Sequence, residues 1–257
     1  MKQKTNQKVK QMLLPVTAVI LLLILWQIAI PAFEIPSWKL SSPTQIAAAI
    51  VRDYKEILPA VFYTYANVIV GFALAMTIGL TLGSLINANK VIGITLTPYV
   101  NLLCTIPLIT IVPLLMLWFG IGRPIIIVTI VIQSFPIMNF NCCVAFANVD
   151  PLRLELMDSF KASKLKRLYY CILPDAVPGV FTGIKLSAIL SILSSVAAEM
   201  TGGNKGLGAQ INLFVAYMKM PQALACIFYV ALLGFILYYT ISHIEERIMR
   251  TRNQIAE

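Results

Sequence analysis

One histidine, His243, and eleven acidic residues in a chain of 257 leave little for hydrolytic or metal chemistry. No H-E-x-x-H occurs, and no Ser-His-Asp set can be assembled around a single imidazole, which argues against a membrane-embedded enzyme. No G-x-x-x-x-G-K-[ST] occurs either, so the chain cannot cradle nucleotide phosphates in the P-loop manner. The apolar runs hold no cluster of carboxylates from which a proton or sodium relay could be built. Five cysteines (Cys104, Cys142, Cys143, Cys171 and Cys226) include no C-x-x-C pair, so neither a zinc site nor a disulfide framework is supported. Cys142 and Cys143 are neighbours; a bond between them would be strained, and free thiols beside apolar segments are expected.

Apolar sequence is abundant. With 59% hydrophobic and 12% charged residues, the chain reads as an all-α, polytopic membrane protein whose solvent is lipid. A surplus of +9 charges suits nucleic acid only when it forms a basic face on a soluble body. Here the charges stand at the ends of apolar runs, and no nucleic-acid partner is expected. The runs predict about six transmembrane helices over 12–33, 60–86, 92–119, 125–147, 176–200 and 223–244, at about 1.5 Å of rise per residue against a core of about 30 Å. Residues 12–257 thus form one transmembrane domain behind a basic tail, 1–11. The first run exceeds a signal-peptide core and lacks a small-residue cleavage site, so it is expected to be retained. Between the first two runs, Ile46, Ile50, Tyr54 and Ile57 share a face and suggest a short interfacial or external helix. Gly71, Gly79 and Gly83 permit close helix approach, the last two with G-x-x-x-G spacing. Alternating six spans from an inside N-terminus places 13 lysines and arginines on the cytoplasmic side and 6 outside, with Lys185 within a span. This bias puts both termini and the connection 148–175 in the cytoplasm.

That connection is the most informative stretch. It carries five basic residues, Arg153, Lys161, Lys164, Lys166 and Arg167, between two runs that cross the bilayer. Asp150 caps a helix that begins at Pro151, a position where proline gives up no needed N–H. Leu154, Met157 and Phe160, with Leu152 near them, fall on one side of this short helix, with Arg153, Glu155, Asp158 and Lys161 spread over the rest. Ala162 and Ser163 interrupt it, and Ser163 caps a second helix starting near Lys164. Such a segment is either a basic loop lying on lipid headgroups or a docking helix for a cytoplasmic partner.

The order Glu155, Ala162-Ser163, Ile172-Leu173-Pro174, Pro178 and Gly183 resembles the EAA loop of ABC-importer permeases. Three positions depart from that pattern: Leu156 and Met157 replace its paired alanines, and Lys161 replaces a glycine that relaxes the turn. Residues 107–122 followed by Phe135-Pro136, and Ala198-Glu199-Met200 followed by Gly206-Leu207-Gly208 and Ile211, are similar to permeases of the nitrate, sulfonate and taurine importers. The resemblance runs from about residue 61 onward. It implies a type I importer permease of the bacterial inner membrane, paired with a second copy of itself. It further implies two cytosolic ATPase subunits that carry ATP and Mg, and an extracytoplasmic solute-binding protein. The ATPase-coupling residues would be Leu154, Glu155, Met157, Asp158, Phe160, Lys161, Ala162 and Ser163. No cofactor is expected on this chain.

The translocation path is less defined. Pro98, Pro107 and Pro113 interrupt the third run, and a helix broken at mid-depth either kinks or lines a cavity. Gln133, Ser134, Asn139 and Asn141 place amides and a hydroxyl in the fourth run, where they bond to other helices or meet a polar solute. Glu199 closes the fifth run, as a helix-end carboxylate or as a gating or solute contact. Pro107, Gln133, Asn139, Asn141 and Glu199 are the candidate path residues. Substrates of the resembling group include nitrate, sulfonates, taurine and vitamin-like heterocycles, and the sequence selects none of them. A second function class stays open at this point, a self-sufficient carrier or channel for which 148–175 is only a connector.

Overall fold

The structure, a computed structural model, describes residues 2–256, and their side chains except at 2–13, 15, 108, 109, 164, 165 and 252–256. Lys2, Lys4, Lys8, Lys10, Lys164 and Arg252, used in the charge count, and Met12, Leu13 and Pro15 of the first expected span therefore lie outside the described side chains. Helix is the only regular structure among the described residues. The order is α1 (Lys2–Ala32), α2 (Pro43–Arg52), α3 (Tyr54–Ala88), α4 (Lys90–Thr105), α5 (Leu108–Phe119), α6 (Arg123–Ala147), α7 (Pro151–Ser159), α8 (Lys164–Arg167), a π-helical segment (Leu168–Ile172), α9 (Leu173–Gly202), α10 (Leu207–Ala216) and α11 (Met220–Ala256). The chain is an all-α polytopic membrane protein. Four helical runs are long and apolar enough to cross a bilayer, Tyr54–Ala88, Arg123–Ala147, Leu168–Gly202 and Met220–Thr251, and α4 with α5 makes a fifth if that bent pair is one span. Val16–Ala32 is a shorter apolar helix.

The expected run 92–119 is two helices rather than one. Proline disfavours the helical region for the residue before it, and Ile106 is extended at φ −76°, ψ 121°, ending α4 before Pro107 opens α5. Pro98 and Pro113 are accommodated inside their helices. The expected fifth run also starts earlier, because the π segment leads without a gap into α9.

Two compact units are formed, Met1–Leu58 with Gln210–Phe228, and Pro59–Ala209 with Tyr229–Glu257. In the first, α2 begins with a capping box: the Ser42 hydroxyl accepts from the Gln45 N–H, and the Gln45 side chain accepts from the Ser42 N–H. Gln27 of α1 accepts from the Thr44 N–H at 3.2 Å. Asp53 stops α2 as its C-cap, so the shared face of Ile46 to Ile57 is divided between two helices. The hydrogen bond from the Arg52 guanidinium holds the Asp53 carboxyl below the usual carboxylate range; burial opposes this, and the Gln222 amide reinforces it.

In the second unit α6 is central. Half of its apolar window is buried, against 28% for α3 and for α11, which marks it as the helix most enclosed by others. Ile125, Ile126 and Ile130 of α6 pack with Val68 of α3, Leu115 of α5 and Ile192 of α9. Lipid tails are as apolar as these side chains, so close packing rather than burial itself must hold such helices together. The sequence supplies the means. A Cβ on Gly79 of α3 would lie 2.6 Å from the Met138 Cβ and 2.9 Å from the Phe135 carbonyl oxygen of α6, so only glycine permits this approach. Hydroxyls join α6 to α9: those of Ser134 and Ser191 are 3.0 Å apart, and the Ser187 hydroxyl donates to the Ser134 carbonyl at 3.2 Å.

Candidate functional site

Helix α7 forms as the sequence dictates. The Leu152 N–H donates to Asp150 Oδ1 at 2.9 Å, with Pro151 in the first position. At its other end the Ala162 N–H bonds to the Met157 carbonyl and the Lys161 N–H to the Asp158 carbonyl, at 3.0 and 2.9 Å. This pair of bonds is the Schellman arrangement, whose C′ residue must be left-handed and is usually glycine. Lys161 occupies it with φ +49°. A left-handed lysine costs about 1–2 kcal/mol, whereas glycine loses about 0.5–1 kcal/mol more backbone entropy on folding. The first effect wins, so Lys161→Gly is expected to slow exchange of the Ala162 amide by a few-fold. Unchanged or faster exchange would count against strain at this turn.

Ser163 caps α8, accepting from the Lys166 N–H at 3.4 Å. Two ion pairs brace the loop. Arg167 donates to both oxygens of Asp158 at 2.9 and 3.0 Å, and Arg153 pairs with Asp175 in the first turn of α9. The loop is thus tied directly to the following span. Its apolar residues do not all face one way. Phe160 is 75% exposed, whereas Leu154 and Met157 are half-buried. The outward stripe is Leu152, Leu156 and Phe160, spaced by four residues and 57–75% exposed. Glu155, Asp158, Lys161 and Ser163 are exposed beside it, and Ala162 is half-buried.

The candidate path residues are dispersed. Pro107 is exposed at the break between α4 and α5, and Gln133 is half-buried. The Asn141 amide donates to the Ile137 carbonyl of its own helix at 2.8 Å. Asn139 is 3% exposed, and its amide nitrogen has no hydrogen-bond partner. Such a group costs about 1–3 kcal/mol. None of the five lines the groove of about 960 Å³ beside the loop.

Glu199 is fully buried near the C-terminal end of α9, opposite the end that meets the loop. Its Oε2 accepts from the Thr64 hydroxyl at 2.9 Å and from the Gly208 N–H at 3.0 Å, and Oε1 accepts from the Ser195 hydroxyl at 3.3 Å. Thr64 in turn accepts from the Leu207 N–H at 2.9 Å. Gly206, at φ +104°, passes so close that an added Cβ would meet the carboxylate at 2.4 Å. The carboxylate therefore clasps the glycine-rich turn onto α3 and α9. In the sequence Thr64 looks like any threonine of a span. The compact G-L-G spelling of 206–208 was the one available hint that a backbone wraps something there.

Lys185, within the fifth expected run, pairs with Glu245 of α11 and lies 5.7 Å from the Tyr238 ring. The pair links α9 to α11 where an isolated charge would be costly in lipid.

Comparison with known proteins places this architecture. The chain is 27% identical to the formylaminopyrimidine transport permease protein ThiX of Halalkalibacterium halodurans over 250 residues, 95% of this chain and 98% of that one. It is 27% identical to the nitrate import permease protein NrtB of Synechocystis over 249 residues, 91% of this chain and 88% of the other. A chain of the inward-facing MetNI methionine ABC transporter superposes with a TM-score of 0.61 at 23% identity, covering 76% of this chain and 95% of that chain, a likeness of fold. Residues 75–250 match the family described as binding-protein-dependent transport system inner membrane component. The chain belongs to that family, as the permease component of an ABC importer.

Proposed function

We propose that this chain forms half of a translocation path and takes its driving force from a cytosolic ATPase through loop 148–175. The observation that carries this reading is α7 itself. It holds an apolar stripe of Leu152, Leu156 and Phe160 out to water while Asp158 and Arg153 fasten it to α8 and α9. Exposed large apolar residues on a braced helix fit a groove in a partner, with Glu155 and the basic residues supplying orientation at the rim. Two ATPase subunits holding ATP and Mg would each grip one such helix, in an assembly with a second copy of this permease. Displacement of α7 would pull on α9 through the Arg153–Asp175 pair, and the spans would rock as rigid bodies.

The lysine and arginine bias favours an orientation with this loop and both termini inside the cell, in the inner membrane. A separate extracytoplasmic protein would select the solute, which accords with spans that offer amides, hydroxyls and aromatics but few charges. The substrate class we favour is a small anion of the nitrate, sulfonate or taurine kind, or a vitamin-precursor heterocycle, following the relatives that transport nitrate and formylaminopyrimidine. Reconstitution into proteoliposomes tests the proposal. Uptake of labelled nitrate, taurine or formylaminopyrimidine is expected only with ATPase, ATP and binding protein present. Flow through the purified chain alone would establish the self-sufficient carrier instead.

A further inference from the structure

The groove of about 960 Å³ lies in the second unit, where the ends of α3, α6, α9 and α11 meet the π segment. Its size falls in the range of about 300–1,000 Å³ typical of ligand sites. Phe146, Val177, Val180 and Phe181 wall it, and Tyr170 and Arg247 stand among the residues that border it. The walls belong to helices long and apolar enough to cross a bilayer. Tyrosine and arginine at the ends of spans sit at headgroup level. Part of the border is built by the π segment, a rare form that is frequent at functional sites.

Charge accounting on the last turns of α11 singles out Arg247. Glu245 is engaged by Lys185, and Glu246 lies 3.8 Å from Arg250. Arg247 donates through Nε to His243 at 3.1 Å and pairs with no carboxylate among the described residues. Of the five donors of its guanidinium, this uses one. An apolar trough with a cation at its mouth complements an anionic amphiphile. A soluble anion would leave the walls uncovered, and an apolar helix would leave the guanidinium without a counter-charge.

We propose that this groove holds one anionic phospholipid of the leaflet on the side of loop 148–175, with an acyl chain along Val177, Val180 and Phe181 and its phosphate at Arg247. Because the groove reaches from the π segment to α9 and α11, a lipid seated there fills the space beside the root of the proposed lever.

The test is native mass spectrometry of the full-length chain extracted from bilayers of equal phosphatidylglycerol and phosphatidylethanolamine. The wild type is expected to retain one lipid, enriched about five-fold in phosphatidylglycerol, the effect of one basic residue near an anionic headgroup. Arg247→Gln should keep a lipid but bring that ratio to about one, and Val180→Trp, which fills the trough, should lose the lipid. Retention of no lipid by the wild type, an unselective wild type, or a selective Arg247→Gln would overturn the assignment. So would crosslinks from residue 180 into a second copy, which would make the groove a subunit contact. Should Val180→Trp fail to insert, the exposed Arg247→Gln position decides the matter.

Discussion

Glu199→Ala is expected to lose about 3–5 kcal/mol of stability, the largest effect of any single polar substitution in the second unit, since it strands several buried donors at about 1–3 kcal/mol each. The Gly208 N–H and the Ser195 hydroxyl lose their acceptor, and the Thr64 hydroxyl keeps only its bond from the Leu207 N–H. For a protein stable by about 5–15 kcal/mol this is a large fraction, and it should appear as a fall of roughly 10 °C in Tm. Glu199→Gln separates shape from charge. Its carbonyl oxygen can take the place of Oε2 and accept from both Thr64 and Gly208, while its amide donates to the Ser195 hydroxyl, which turns to accept. The glutamine variant should therefore stay within about 1–1.5 kcal/mol of the wild type, one ordinary hydrogen bond. An alanine variant melting with the wild type would remove the clasp from the account of this fold. A glutamine variant as weak as alanine would show that the negative charge itself is used.

The second large effect is on coupling. Phe160→Ala removes the most exposed residue of the outward stripe 152/156/160 without touching the ion pairs that brace the loop. Buried aromatic anchors at interfaces are worth about 2 kcal/mol or more, about thirty-fold in affinity. Phe160→Ala is therefore expected to lose ATPase co-purification and uptake while membrane insertion and Tm hold. Glu155→Ala, at the rim, should weaken both less. Since Leu154 and Met157 turn half inward, Leu156→Ala should cost more binding than Leu154→Ala, and Leu154→Ala should cost more stability. Full coupling in the Phe160 variant would defeat the lever reading.

What could be read from sequence was local. The apolar runs, the Asp150 cap with Pro151, the Ser163 cap and the strained position at Lys161 all depend on residues within a few places of one another. The outward stripe of α7 was less legible, because a helix this short offers two apolar stripes, 152/156/160 and 154/157, and periodicity cannot say which faces water. Three prolines in one run look alike in composition, yet only Pro107 ends a helix. The clasp at Glu199 was hidden for another reason. Thr64 lies 135 residues away, and no spacing rule reaches across the five α-helices and the π segment between them. The counter-charge of Lys185 is 60 residues distant and equally out of reach.

The glycine contacts that α3 and α9 make with α6 restrict how this bundle can deform. A Cβ on Gly79 would meet Met138 at 2.6 Å, and one on Gly179 would meet Ala145 at the same distance. Rolling α6 about its own axis would swing bulkier residues into those two shallow seats. Sliding it by one residue, about 1.5 Å, would do the same. Helices seated this tightly travel as a single wedge, and angular change is left to the joint at 106–107, where the backbone has already given up its helical bonds.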